Sequence, residues 1–163
     1  ISHSLMRGLS STLFAPNQSM TRGMMVTTLY RLAGEPQVEG TATFQDVKSS
    51  AYYANAVAWA EANGIAKGID TGVFAPNAPV TREQAAAFAY RYVTAYLGKT
   101  PVPGASLGGF QDAGLVSDYA AESLSWAHAA GLMVGYGDGF LGPKDTVTRA
   151  QMAKLLTLLA QNF

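Results

Sequence analysis

Val80-Thr81-Arg82-Glu83-Gln84 and Val147-Thr148-Arg149-Ala150-Gln151 are two copies of one short stretch, and Met20-Thr21-Arg22-Gly23-Met24 is a third. An aromatic and a proline precede each: Phe14 and Pro16, Phe74 and Pro76, Phe140 and Pro143. Apolar residues at helical spacing follow each. Thr81 with Gln84, and Thr148 with Gln151, have the spacing of a capping box, in which two side chains and two backbone N–H groups satisfy one another. Met24 cannot supply the second half of the box in copy one. The pattern predicts three helices, each with Thr as N-cap and Arg as the first helical residue.

An arginine at that position opposes the helix macrodipole, at a cost of roughly 0.3–1 kcal/mol. Three in one register call for something that offsets it. An anion is one answer: backbone N–H groups, the positive end of the dipole and a forked guanidinium favour a carboxylate or phosphate at one spot. The other is that each arginine pairs with an Asp or Glu of its own lobe.

Working outward, a shift of 60 superimposes Gly8 on Gly68, Phe14 on Phe74 and Thr21-Arg22 on Thr81-Arg82. A shift of 67 superimposes Trp59 on Trp126, Gly64 on Gly131, Gly68 on Gly135 and Thr81-Arg82 on Thr148-Arg149. Phe44-Gln45-Asp46 recurs as Phe110-Gln111-Asp112. The chain is therefore a tandem repeat. Its unit runs from Phe-Gln-Asp through a first helix (52–63 in copy two, 118–130 in copy three) to a Gly at which the helix stops. A turn-rich loop follows, then the Thr-Arg helix. Met25, Leu29 and Leu32 match Ala85, Ala89 and Tyr92, then Met152, Leu156 and Leu159, with Thr28, Phe88 and Leu155 at the i+3 position. A stripe repeated in register predicts equivalent helices meeting at a shared core.

The divisions are 1–36 as the second half of a first repeat, 44–97 as the second and 110–163 as the third, with connectors at 37–43 and 98–109. Copy one lacks its Phe-x-Asp helix and Trp. The expectation is that the chain is a processed or excised piece beginning inside a repeat. An exposed Met25/Leu29/Leu32 face would then favour dimerisation through the gap.

Composition limits the function classes. At 163 residues the chain can bury a sizeable core, and 48% hydrophobic with 13% charged residues argues against disorder. Eleven basic and eleven acidic residues cancel, so the footprint of a nucleic-acid binder is missing. No apolar run approaches the roughly 20 residues of a membrane span. Zero Cys excludes disulfides and thiolate metal sites. Gly104-Ala105-Ser106-Leu107-Gly108 matches the nucleophile-elbow pattern, but in a Pro/Gly connector rather than between strand and helix. The Asp138-Gly139 turn lacks the ligand positions of a calcium loop. His3 and His128 have no partners in the repeat. No carboxylate pair recurs in the manner of a glycosidase. No enzyme, metal or cofactor is expected.

Taken together, these residues resemble the S-layer homology domain. That family's unit has a Phe-x-Asp start, a Trp-containing helix, a loop with Gly-Tyr-x-Asp-Gly and Phe-x-Pro, and a closing Thr-Arg-Ala-Glu. Here the loop reads Gly135-Tyr136-Gly137-Asp138-Gly139-Phe140, and the terminal Glu is replaced by Gln84, Gln151 and Met24. The resemblance implies an all-α fold with long loops: three repeats as a pseudo-threefold, three-pronged spindle around a central three-helix bundle. It also implies non-covalent anchoring of a bacterial surface protein, outside the cell, to a secondary cell-wall polysaccharide, often one bearing ketal-linked pyruvate. Binding would fall in grooves between repeats, with no nucleic acid and no membrane insertion. By motif position the site residues are Arg22, Arg82, Arg149, Asp46, Asp112, Trp59, Trp126, Gly68, Gly135 and Tyr136. The Arg149 and Arg82 grooves rank above that of Arg22, whose copy fits the motif least well. The bland alternatives are a Trp in the core and an Asp capping the following helix. The rival function is a helical-repeat scaffold for protein–protein contact, or a self-assembly module.

Overall fold

A computed structural model describes residues 15–163. Gly8, Phe14 and His3 lie outside the described residues. Five α-helices carry the fold: α1 (Arg22–Leu32), α2 (Ala54–Ala62), α3 (Arg82–Arg91), α4 (Ala121–Ala129) and α5 (Arg149–Asn162). A π-helical turn, Tyr92–Tyr96, extends α3, and two 3-10 turns, Ala113–Leu115 and Asp118–Ala120, lead into α4. Among the described residues there is no strand, only isolated bridges, so the chain is all-α with long loops.

The helices start where the capping chemistry requires. Thr81 and Thr148 are N-caps of complete capping boxes, while Thr21 makes only its own half, accepting from Met24 N. Gly64 (φ 70°) and Gly131 (φ 71°) take the left-handed conformation that ends the first helices of copies two and three. Copy two's first helix begins two residues later than its apolar pattern indicates, at Ala54. In copy three the expected start at Asp118 is a 3-10 turn that becomes helical at Ala121.

The repeated stripe is the core. Met25, Leu29, Ala85, Ala89, Met152, Leu156 and Leu159 are all within 1% of complete burial. The first helix of each copy packs on the second helix of the copy before it, α2 on α1 and α4 on α3, and α5 touches α1. Because Met25 and Leu29 are fully covered, the exposed apolar face on which dimerisation was expected does not exist. Only Leu32, half-buried, remains at its edge.

A closed ring of backbone hydrogen bonds joins the copies. Met20 N donates to Val147 O (2.8 Å), Val147 N to Val80 O (2.9 Å) and Val80 N to Met20 O (2.9 Å). A second ring lies beside it: Arg22 N to Ala78 O, Arg82 N to Asp145 O and Arg149 N to Gln18 O, each 2.9 Å. A third runs from Gly23 N to Pro76 O, Glu83 N to Pro143 O and Ala150 N to Pro16 O. Each helix start thus feeds its first two N–H groups into the proline loop of the next copy, and copy three returns to copy one.

That pattern corrects the electrostatic expectation. At α3 and α5 all four orphan N–H groups are spent inside the protein, two on loop carbonyls and two in the capping box, and at α1 three are, two on loop carbonyls and one on Thr21. They are not available to an external anion.

Candidate functional site

The three arginines are nearly sealed: Arg22, Arg82 and Arg149 are 4%, 6% and 5% exposed. The hydrogen-bond partners of Arg22 and Arg82 are backbone carbonyls of the next copy, not acids of their own lobe. Arg22 Nε donates to Phe74 O (2.7 Å) and its Nη2 to Lys67 O (3.0 Å). Arg82 repeats this one copy on, to Leu141 O (2.9 Å) and Val134 O (2.7 Å). Each guanidinium clamps both ends of the next copy's loop to the helix before it. Aromatic rings cover the cations: Phe74 and Phe88 at 4.7 and 5.2 Å from the Arg22 guanidinium carbon, Tyr136 at 4.8 Å from that of Arg82. Burial pulls the Arg22 pKa below its ordinary value.

The aspartates hold the other side of the same peptides. Asp46 accepts from Phe74 N (2.9 Å) and Ala75 N (2.7 Å), and Asp112 from Leu141 N (2.9 Å) and Gly142 N (2.8 Å). Neither side chain caps a helix. Each fixes a turn whose second residue is left-handed, Ala75 at φ 57° and Gly142 at φ 67°. Those turns present the carbonyls that receive Arg22 and Arg82. The backbone N–H groups, that of Leu141 first, hold the Asp112 carboxyl below its ordinary range.

The loop glycines are steric necessities. A Cβ on Gly68 would lie 2.6 Å from Val73 O and 3.1 Å from the Phe44 ring; one on Gly135 would lie 2.6 Å from the Phe110 ring. The Phe of each Phe-Gln-Asp start therefore packs on the glycine of its own loop.

Trp59 and Trp126 belong to the core, 3% and 1% exposed. Trp59 lies among Tyr30, Tyr92 and Tyr96, and Trp126 between Tyr90 and Phe163. Neither has a ring face open to a sugar, so the core reading holds and the stacking role is set aside.

Beside these clamps lie two clefts. One, of about 620 Å³, is lined by Arg22, Lys67, Gly68, Ile69, Gln84, Ala87, Phe88, Arg91 and Tyr119. It draws on α1, on the loop and second helix of copy two, and on the start of copy three. Its counterpart is about 160 Å³ and includes Arg82, Gly135, Tyr136, Gln151 and Lys154. The order of size reverses the ranking by motif quality. Tyr136, the residue that makes copy three's loop fit the motif better, lies over Arg82 and donates its hydroxyl to Asp145 (2.8 Å). Ile69 at the same position leaves the first cleft open. Arg149 stands in the same register, and residues 1–14 lie outside the described residues.

Two functional residues went unread in the sequence. Glu83, 3% exposed, accepts from Ser117 N (3.0 Å), Ser117 Oγ (2.8 Å) and Lys144 Nζ (2.6 Å), tying α3 to copy three. Burial raises its pKa, but Lys144 and Ser117 together bring the carboxyl below its ordinary value. Arg91 ends α3 and lines the larger cleft. Its only signal was Arg31 at the same register in copy one.

The other sequence motifs settle quietly. Phe140 N donates to Asp138, as in a turn, and Ser106 Oγ accepts from Gly108 N inside the connector. His128 Nδ1 is 3.2 Å from Met133 O. No described helix is long and apolar enough to cross a membrane.

A family model of the S-layer homology domain matches residues 43–86 and 109–153, more than half of the chain and the two copies that carry both helices. The chain belongs to the S-layer homology domain family. Relatives along nearly its whole length agree. An endoglucanase of Bacillus sp. (strain KSM-635) is 35% identical over 93% of this chain, and a surface-layer 125 kDa protein of Lysinibacillus sphaericus 31% over 97%. A cellulosome-anchoring protein of Acetivibrio thermocellus is 24% identical over 93%. The chain spans only 16%, 13% and 34% of their respective lengths. An S-layer homology domain is a binding module of cell-surface proteins and not a catalytic one, and the enzyme-named relative shares only that fraction of itself with this chain.

Proposed function

We propose that this S-layer homology module holds a larger bacterial surface protein on the cell wall by binding a pyruvylated secondary polysaccharide between adjacent copies. The observation that carries the reading is the 620 Å³ cleft, with Arg22, Lys67 and Arg91 in its walls, no carboxylate among its lining residues and an aromatic at its rim. A cleft with cations and no internal counter-ion suits a sugar bearing a carboxylate, and a pyruvate ketal supplies one. Anchoring also agrees with the names of the surface-layer and cellulosome-anchoring relatives. In this reading Arg22, Arg82 and Arg149 act as the groove floors, Asp46, Asp112, Gly68 and Gly135 hold the loops, and Tyr136 lines the narrower groove.

Sedimentation of the protein with purified cell walls, before and after chemical removal of pyruvate, tests this. Binding that drops on removal is expected; binding that is unchanged overturns the role of the substituent. One observation favours protein–protein contact instead: Val134, Tyr136 and Phe140 are 51%, 45% and 41% exposed on one loop. That reading predicts no binding to walls from which other proteins have been stripped.

A further inference from the structure

Within the larger cleft the cations differ in what they have left to give. Arg22 has committed Nε and Nη2 to carbonyls and sits between two phenyl rings, so it forms the floor. Arg91 makes one long bond among the described residues, Nη1 to Ile65 O at 3.3 Å, and is half-buried. Lys67 is exposed at the mouth. Neither pairs with a carboxylate among the described residues. Burial lowers the pKa of Arg91 and of Arg22, and the two cations repel each other. A bound oxyanion would relieve both effects. On the facing side Tyr119 is 56% exposed, with its hydroxyl 3.4 Å from Glu83 Oε1, so the ring is held from within while much of it stays open.

The equivalent positions elsewhere are differently filled. Copy three has Leu158 in the register of Arg91, and Tyr136 crowds its cleft. Copy one has Arg31, 3.7 Å from Glu35 and thus already compensated.

Resting on the anchoring reading above, we propose that Arg91, assisted by Lys67, is the carboxylate contact of the cleft and Tyr119 the face on which the sugar ring lies. The acidic saccharide then binds at this one groove and not at its counterpart beside α5.

The test uses the full chain and purified cell-wall sacculi, either native or with their carboxylates amidated by carbodiimide. The wild type should bind native sacculi on the order of tenfold more tightly than amidated ones, the scale of one charge-assisted contact. Arg91→Gln should lose about that factor on native sacculi and show no further loss on amidated ones, because the group it would meet is gone. Arg91→Lys should recover part of the loss. Arg91→Leu, which installs the residue copy three carries, should behave as Arg91→Gln and serves if the glutamine variant folds poorly. Tyr119→Ala should weaken binding to both preparations equally, and Lys154→Gln should change neither.

If Arg91→Gln and Arg91→Leu keep the wild-type affinity and its sensitivity to amidation, the carboxylate is met elsewhere and this inference fails while anchoring stands. If Lys154→Gln abolishes the discrimination, the assignment to one groove fails. If the wild type binds neither preparation, anchoring itself fails.

Discussion

Arg82 shows what a single side chain does in this fold. Its guanidinium holds Leu141 O and Val134 O, 59 and 52 residues away in sequence, while its own helix starts at the same residue. Removing it leaves the buried Leu141 carbonyl and the part-buried Val134 carbonyl without that donor. Arg82→Ala should cost about 2–4 kcal/mol in urea unfolding, more than loss of a surface charge would. A change below about 0.5 kcal/mol would mean that the clamp is dispensable. Glu83 makes the complementary, pH-dependent link. Its folded pKa lies below the ordinary value, so its stabilisation is present above the ordinary carboxylate range, about 4, and is lost as pH falls through the lowered folded value. Glu83→Gln should lower stability at pH 7 by about 1–3 kcal/mol and flatten the acid side of the stability profile. Thermal melts from pH 7 to pH 3 would read this. An acid limb as steep in Glu83→Gln as in the wild type would assign it to other carboxylates, Asp112 first among them.

At the scale of elements, the Thr-Arg start was legible because capping is local. The side chain three residues on decides whether the box closes, and Gln84 and Gln151 close it while Met24 does not. Thr81→Ala, which removes the acceptor of Gln84 N, should destabilise by about 1 kcal/mol, and Gln84→Ala, which removes the acceptor of Thr81 N, by a smaller amount. No loss in chemical denaturation for Gln84→Ala would show that the glutamine half contributes nothing. The first helices were read two or three residues too long at their starts, because an apolar pattern does not distinguish a turn from the helix it feeds. The proline loops were read only as turns. Their function as acceptors for another copy's helix start depends on the left-handed residue before the proline, Ala75 or Gly142, which Asp46 or Asp112 holds in place.

For the whole molecule, the ring of Met20, Val80 and Val147 makes the copies interdependent, since opening one link leaves each neighbour with an unpaired backbone group. The three amides should therefore exchange hydrogen only through global unfolding, with protection free energies within about 1 kcal/mol of one another and of the unfolding free energy. Earlier exchange at one of them would mean that its copy opens alone. The two clefts follow from the same closure, because each lies where a loop of one copy meets the arginine of the copy before it.

What the amino-acid order determined alone was everything governed by short range: the repeat, the helix starts and stops, the buried stripe and the residues placed in register. Where those residues pointed was decided by the tertiary structure. The N–H groups and guanidinium of each Thr-Arg start look unpartnered within their own copy, and an external anion is then a natural answer. In the closed ring the N–H groups, and the guanidinium groups of Arg22 and Arg82, meet carbonyls 45 or more residues distant, supplied by the next copy. Whether a groove stays open likewise turned on Tyr136 against Ile69 and on Arg91 against Leu158. Position along the chain treats these as neighbours of a motif, whereas packing decides which of them fills a cleft and which lines it.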